Sequence, residues 1–154
     1  MALENVNGRQ TFFGVLPSKN KFGAEKMGAG SIKEIVIEFS YDDLPAVDAD
    51  NEMLATIPAS AKVVAADLQV GTAWLGGTNI TVGTSQADGG GVIDADGLIA
   101  AVVTANLTAD SNHAGAGADI GEVSSAERQA ITATTTGTFT AGDAILVVQY
   151  QDKL

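Results

Sequence analysis

The only histidine, His113, is the residue of this chain best suited to move a proton near neutral pH. It sits in a Ser-Asn-His-Ala-Gly stretch and would need a serine and an acid beside it in space to form a hydrolase triad. No Gly-x-Ser-x-Gly elbow accompanies it, so His113 reads as a solvated loop histidine. Cysteine is absent, which removes disulfides, thiolate zinc sites, iron–sulfur clusters and cysteine nucleophiles. A lone histidine leaves only carboxylates as metal ligands, and calcium is the ion that such a composition permits. Asp48, Asp50, Asn51 and Glu52 form one cluster of oxygen ligands, and Asp94 with Asp96 a second. Met53 stands where a calcium-binding loop needs its turn glycine, and Leu98 interrupts the second series. Asp and Asn are also ordinary turn residues, so both clusters read as turn chemistry, with calcium the alternative.

No other group carries a stronger signal. Neither a Gly-x-Gly-x-x-Gly nor a Gly-x-x-x-x-Gly-Lys-Ser/Thr pattern is present, and Gly89-Gly90-Gly91 lies among acids that repel phosphate. Nineteen acids allow many carboxylate pairs of the kind glycosidases use. Sugar sites also want aromatic platforms, and the chain has one Trp and two Tyr. Trp74, flanked by Gly71 and Gly76-Gly77, is the candidate platform; a place in the core or at a hairpin end is its structural alternative. No cofactor is expected, no catalytic residue is assigned, and the chain reads as a non-enzyme.

The elements that would carry these residues read as β. Ser31–Ser40 alternates, with Lys33, Ile35, Ile37 and Phe39 on one face and Ile32, Glu34, Val36 and Glu38 on the other. Tyr41–Pro45 breaks that strand. Thr56–Ser60 reads as a short extended connection, because Pro58 disfavours helix at Ile57. Ala61–Trp74 is a long strand with Val64, Ala66, Leu68 and Val70 on one face. The turn Leu75-Gly76-Gly77 leads to Thr78–Val82, and the spacing predicts a hairpin. Asp94–Thr104 reads as a helical turn with an aspartate cap, a strand being the alternative. Ala109–Gly121 is a loop by composition. Ala130–Thr136 is strand-prone, Ala141-Gly142-Asp143 a turn, and Ala144–Gln151 a central strand, being apolar almost throughout. Short strands between Gly- and Asp-rich turns predict an all-β sandwich or jelly roll with at most one short helix.

Residues 1–30 are different. Gly8, Gly14, Pro17, Gly23, Gly28 and Gly30 punctuate them, and no regular period runs through. Their one apolar island, Phe12-Phe13-Gly14-Val15-Leu16, is either the first strand of the domain or the gripping part of an extended arm. The division adopted is an extended N-terminal arm at 1–30 and a β-sandwich domain at 31–154. On the arm reading Phe12, Phe13, Val15 and Leu16 are the contact residues toward a neighbouring subunit or another protein.

Charge separates arm from body. Five bases and four acids give residues 1–40 a net +1, while three bases and fifteen acids give residues 41–154 a net −12. So acidic a body repels nucleic acid and the anionic face of a membrane. No apolar run approaches the roughly 18 residues of a membrane span, and the start, MALENVNGRQ, lacks the apolar stretch of a signal peptide. The expectation is a protein made in a cytoplasm. Aromatics are only 5% of residues, so the core must come from Ala, Val, Ile, Leu and the methyls of Thr.

Three segments carry a resemblance: Leu54–Val64 with its ATIPA connection, Thr78–Thr84 within ITVGTS, and Gly137–Tyr150 with FTAGDA before the last strand. Over residues 54–150 the chain resembles small virion proteins of tailed bacteriophages. That resemblance implies a β-sandwich or jelly-roll subunit of a phage particle, often trimeric, on the capsid shell or in a fibre or tail appendage. It brings no catalytic residues. A subunit facing packaged DNA is expected to be basic, so the acidic body favours the exterior. The function expected is a capsid decoration, or cement, protein that binds the major capsid protein as a homotrimer. A head-fibre or tail-appendage subunit touching the host, with Ala109–Gly121 as a candidate tip, is the alternative, followed by a small carbohydrate-binding module.

Overall fold

The computed structural model describes residues 2–6, 9–13, 32–44, 52–87, 91–124 and 126–152. Ten strands occur among them: β1 Ala2–Val6, β2 Arg9–Phe13, β3 Ile32–Ser40, β4 Glu52–Ile57, β5 Lys62–Gly76, β6 Asn79–Gln86, β7 Val92–Val103, β8 Asn112–Ala114, β9 Gln129–Thr136 and β10 Phe139–Gln151. Single 3₁₀ turns lie at Tyr41–Asp43 and Thr104–Asn106. Strands β3 to β10 form two four-stranded sheets, ordered β3-β10-β5-β8 and β4-β9-β6-β7, with every ladder antiparallel. The all-β sandwich expected from the alternating patterns is therefore present.

The pairing is nested. β3 pairs with β10, β4 with β9, β5 with β8, and β6 with β7. The body is thus one long folded-over ribbon whose tip is the β6–β7 hairpin. Two further ladders, β5 with β10 and β6 with β9, close the ribbon into two sheets. Leu68, Val70, Leu146 and Val148 of the first sheet and Ile80, Val82, Ile131 and Ala133 of the second belong to one buried cluster. Each fully buried aliphatic chain of Val, Leu or Ile size contributes about 1.5–3 kcal/mol relative to exposure.

β10 holds the centre of its sheet because it is apolar on both faces: Ala144, Leu146 and Val148 are buried, while Ile145 and Val147 lie half-buried on the outer face. Along β3, Ile35, Ile37 and Phe39 turn inward as their alternation predicts, and Ile32 and Val36 remain exposed.

Several expectations are corrected. β5 and β6 do not form a hairpin; they belong to different sheets, and Gly76–Thr78 carries the chain across the sandwich. Asp94–Thr104 is not a helical turn. It lies almost wholly in β7, where Leu98, Ile99 and Val102 are buried against the second sheet. Ala-rich composition was the misleading cue, and packing on β6 overrides propensity. Ala141–Asp143 is not a turn but irregular strand within β10, with register shifts on both sides; the reversal comes earlier, at Gly137-Thr138. In β5 the register shift opposite Gln149 and Tyr150 places an extra residue in the strand, so Val63, not Val64, is the fully buried one. Thr56-Ile57 is extended, but as the end of β4, before a turn at Ala59-Ser60. Within Ala109–Gly121 the short strand β8 adds to the edge of β5.

Candidate interaction surface

The residues with chemical potential are not gathered into one centre. His113 lies on β8 opposite Leu68. Its Nε2 is 3.1 Å from the carbonyl oxygen of Asn106 and 3.2 Å from Ser111 Oγ. A carbonyl only accepts, so the tautomer this contact favours carries the proton on Nε2 and donates it there. That tautomer cannot take the Ser111 proton, and the pair is no nucleophile–base couple. Trp74 is buried, 2% exposed, and is not a sugar platform. It packs between Phe39 and Phe139 at ring-centroid distances of 5.9 and 5.2 Å and donates from Nε1 to the carbonyl of Asp143 at 3.3 Å.

The aspartates behave as turn and strand chemistry. Asp96 N–H donates to Asp94 Oδ1 at 3.2 Å, and Thr84 Oγ1 donates to Asp119 Oδ2 at 2.8 Å. A hydrogen bond between the Asp94 and Asp96 carboxyls, then partial desolvation, then the charge of Asp94 hold the Asp96 carboxyl above its usual range. Among the described residues no group of three or more metal-ligating side chains occurs. Asp48, Asp50, Asn51, Gly89 and Gly90 lie outside the described residues.

The outer face of the first sheet is a shallow surface with mixed character. Val36 on β3 stands beside Val147 on β10 and Asp67 on β5; the next row is Glu38, Ile145 and Gln69. A groove of about 440 Å³ at one margin is lined by Glu38, Phe39, Ser40, Asp43, Asp143, Ala144 and Ile145. Ser40 donates to Asp43 from both N and Oγ, at 2.8 and 2.9 Å, which holds that carboxyl below its usual range. Thr72 N–H donates to Asp143 Oδ1 at 3.1 Å. The acids here serve the local backbone. β3 and β4 are edge strands, each paired on one side only, and an open edge is a template for an added strand. Among the described residues no helix is long and apolar enough to cross a membrane.

The N-terminal stretch is more regular than its glycines imply. β1 and β2 pair with each other from Ala2 opposite Phe13 to Val6 opposite Arg9, and neither joins the two larger sheets. Phe12 and Phe13 therefore end a strand of a separate two-stranded sheet. Val15 and Leu16 lie outside the described residues. Asn7-Gly8, between the two strands, is the dipeptide most favoured in tight hairpins and was the available signal for this pairing.

Comparison with solved structures adds what the local chemistry lacks. One chain in the capsid of Ralstonia phage GP4 superimposes with a TM-score of 0.61 at 19% identity, over 82% of this chain and 87% of that one. A chain of the capsid asymmetric unit of cyanophage Pam1 gives 0.51 at 15% identity, over 82% and 89%. The fold is one found in phage capsids. No family model matches the sequence, and no curated protein matches it.

Proposed function

We propose that this protein is a structural component of a phage virion, a decoration or cement subunit bound to the outside of the capsid. The observation that carries this is the shared fold, over about four fifths of the chain, with a chain of a phage capsid. The absence of a paired nucleophile, base or metal cluster among the described residues accords with a role in assembly and not in catalysis. A net charge of −11 supports the exterior over the side facing DNA. The nested order of β3 to β10 supports the jelly-roll reading over an immunoglobulin-like one, whose sheets contain several sequential hairpins. The subunit acts as a homotrimer, and residues 1–30, with Phe12, Phe13, Val15 and Leu16, grip the major capsid protein or a neighbouring copy. A two-stranded hairpin is marginal by itself in water, so β1–β2 needs such a surface to dock on. Many copies on one shell tolerate weak individual contacts through avidity.

The test mixes the full-length protein with capsids assembled from the major capsid protein alone. Co-sedimentation at a fixed ratio and a higher temperature of capsid disruption are expected, and both are lost when residues 1–30 are deleted. Retention on host cells with no capsid binding would replace this reading with the fibre or tail-appendage one.

A further inference from the structure

The two open sides of the sandwich are finished differently. On one side the edge strands are β8 and β7, and the segment that follows β8 ties the sheets together. Gly115 N–H donates to the Ala66 carbonyl of β5 at 2.6 Å, Gly117 N–H to the Leu98 carbonyl of β7 at 3.4 Å, and Asp119 N–H to the Gly97 carbonyl at 2.8 Å. On the other side the edges are β3 and β4. There the inward-facing Ile35 and Ile37 stay half-buried, whereas Ala66, Leu68 and Val70 of β5 are buried.

Three of the four edges are blunted against pairing. β8 is three residues long, β4 shifts register between Met53 and Ala55, and β7 shifts repeatedly along β6. β3 has no such break. Its nine residues pair one for one with Asp143–Gln151 of β10, and Ile32 and Val36 are 56% and 59% exposed. Its first charges are engaged toward β10 and beyond: Lys33 pairs with Asp152, and Glu34 accepts from Gln149 Nε2 at 2.7 Å. A long, regular edge of this kind is a template for a further strand.

We infer that the β1–β2 hairpin of a second copy adds to this edge, with β1 antiparallel to β3. The hairpin is the one two-stranded sheet among the described residues, and it joins neither larger sheet of its own chain. Its charge suits the body. Residues 1–31 hold four bases and two acids, net +2, against −12 for residues 41–154. Charge also selects the direction. Every ladder of the body is antiparallel. With β2 antiparallel to β3, the chain would leave the hairpin at the Ile32 end, beside Lys33. With β1 there, it leaves at the Ser40 end, beside the groove lined by Glu38, Asp43 and Asp143. Lys19, Lys21 and Lys26 follow directly in sequence. Residues 14–31 reach up to ~60 Å when extended, enough to join neighbouring bodies. A hairpin-to-edge contact is heterologous and closes into a ring, so the inference rests on the self-association in the proposed function and gives it a surface.

The chain has no cysteine, so introduced cysteines report without background. Full-length protein carrying Val36→Cys is mixed with full-length protein carrying Leu3→Cys, Glu4→Cys or Asn5→Cys and mildly oxidised. Opposed residues on antiparallel strands bring their β-carbons to about 4.5–5.5 Å, near what a disulfide spans. At least one mixture is expected to give the mixed dimer at least ~10-fold above mixtures in which Val123→Cys replaces Val36→Cys, since docking raises the local concentration of the pair. Val123 is 61% exposed elsewhere on the body. Yields are read on free and on capsid-bound protein, and the mixed dimer in either supports the inference. Preferential linkage of two Val36→Cys chains would mean that β3 meets β3. Linkage only within a chain carrying both substitutions would mean that the hairpin folds back on its own body. Either result, or yields no higher than the control in both states, would overturn it. Capsid co-sedimentation of the unmodified protein is scored separately, so a failed crosslink leaves the virion role standing or falling on its own result.

Discussion

The two ends of the sandwich turn the chain with different materials. At the end turned by Gly76–Thr78 and Gly137-Thr138, the turns rest on the rings of Phe39, Trp74 and Phe139, and Gly77 has φ +55° with the Phe139 ring directly against its α-carbon. At the other end the floor is aliphatic, Ile57, Ala61 and Val63, and the shape is set by polar bonds. There Val63 N–H donates to the Glu122 carbonyl at 3.0 Å, Gly121 N–H to the Val63 carbonyl at 2.8 Å, and Ser124 N–H to the Ala61 carbonyl at 2.7 Å. Ser124 Oγ adds a bond to the Pro58 carbonyl at 3.0 Å. Lys62, Glu122, Glu127, Arg128 and the exposed Lys33–Asp152 ion pair give this end charges of both signs. Both ends are cross-bonded through the backbone, but only the first rests on packed rings, so they should respond differently to changes in size.

Trp74→Ala breaks the comparison most severely. Removing a ring that is 2% exposed and touched by two others should cost about 3–5 kcal/mol, a large share of the ~5–15 kcal/mol of a typical domain. Ser124→Ala, which deletes one strap bond, should cost about 0.5–1.5 kcal/mol. Urea unfolding measures both, and equal losses would erase the distinction between the ends. Glycines sharpen it. Gly77→Ala combines a left-handed backbone with a β-carbon about 2.5 Å from Phe139 ring atoms, and should cost about 2–4 kcal/mol. Gly121 has φ +90° but open space around it, so Gly121→Ala should cost only the conformational strain, about 1–2 kcal/mol.

What the sequence disclosed follows the same division. Period-two alternation located β3, β5 and β6, because each buries one face against the same core, while β-prone composition located β9 and a nearly continuous apolar run located β10. The sheet membership of β5 and β6 was hidden: Gly76-Gly77 signals a reversal, and only the nested pairing across long separations makes it a crossing between sheets. β4 was partly hidden because Pro58 dominated its reading, although Glu52–Ile57 pairs along β9. β7 was misread because Ala100 and Ala101 favour helix while Leu98, Ile99 and Val102 are claimed by β6. As for sites, the turn reading of Asp94 and Asp96 was available from their residue types, whereas the contact of His113 with the Asn106 carbonyl was not, since it joins a short strand to a turn.

The second sheet supplies a smaller effect away from both ends. Thr132, on central β9, is 3% exposed, and its Oγ1 has no hydrogen-bond partner. A buried hydroxyl left unpaired costs about 1–3 kcal/mol in desolvation. Thr132→Val keeps the shape and removes the hydroxyl, so it should raise stability by about 1 kcal/mol in thermal unfolding. A loss of that size would mean that the hydroxyl finds a partner when the protein assembles or binds water.

The smallest expected effect probes the acids near the β6–β7 tip. Asp96 is held above its usual range mainly by its hydrogen bond to the Asp94 carboxyl. A raised folded-state pKa means that the folded chain holds this proton more tightly than the unfolded one. The contribution to stability is therefore full below the ordinary carboxylate pKa of about 4 and is lost as pH rises through the raised folded value. Above that window Asp94 and Asp96 repel each other, with Asp119 close by at Gly97. Asp96→Asn keeps a donor toward Asp94 at every pH. Its melting temperature should match the parent protein at about pH 3 and exceed it slightly at about pH 7. Asp96 is exposed and Asp94 half-buried, so solvent screens much of the repulsion and keeps the gain small. A difference between the two proteins that stays constant across this range would show that the hydrogen bond to Asp94 does not hold the Asp96 proton, leaving this end held by its backbone strap alone.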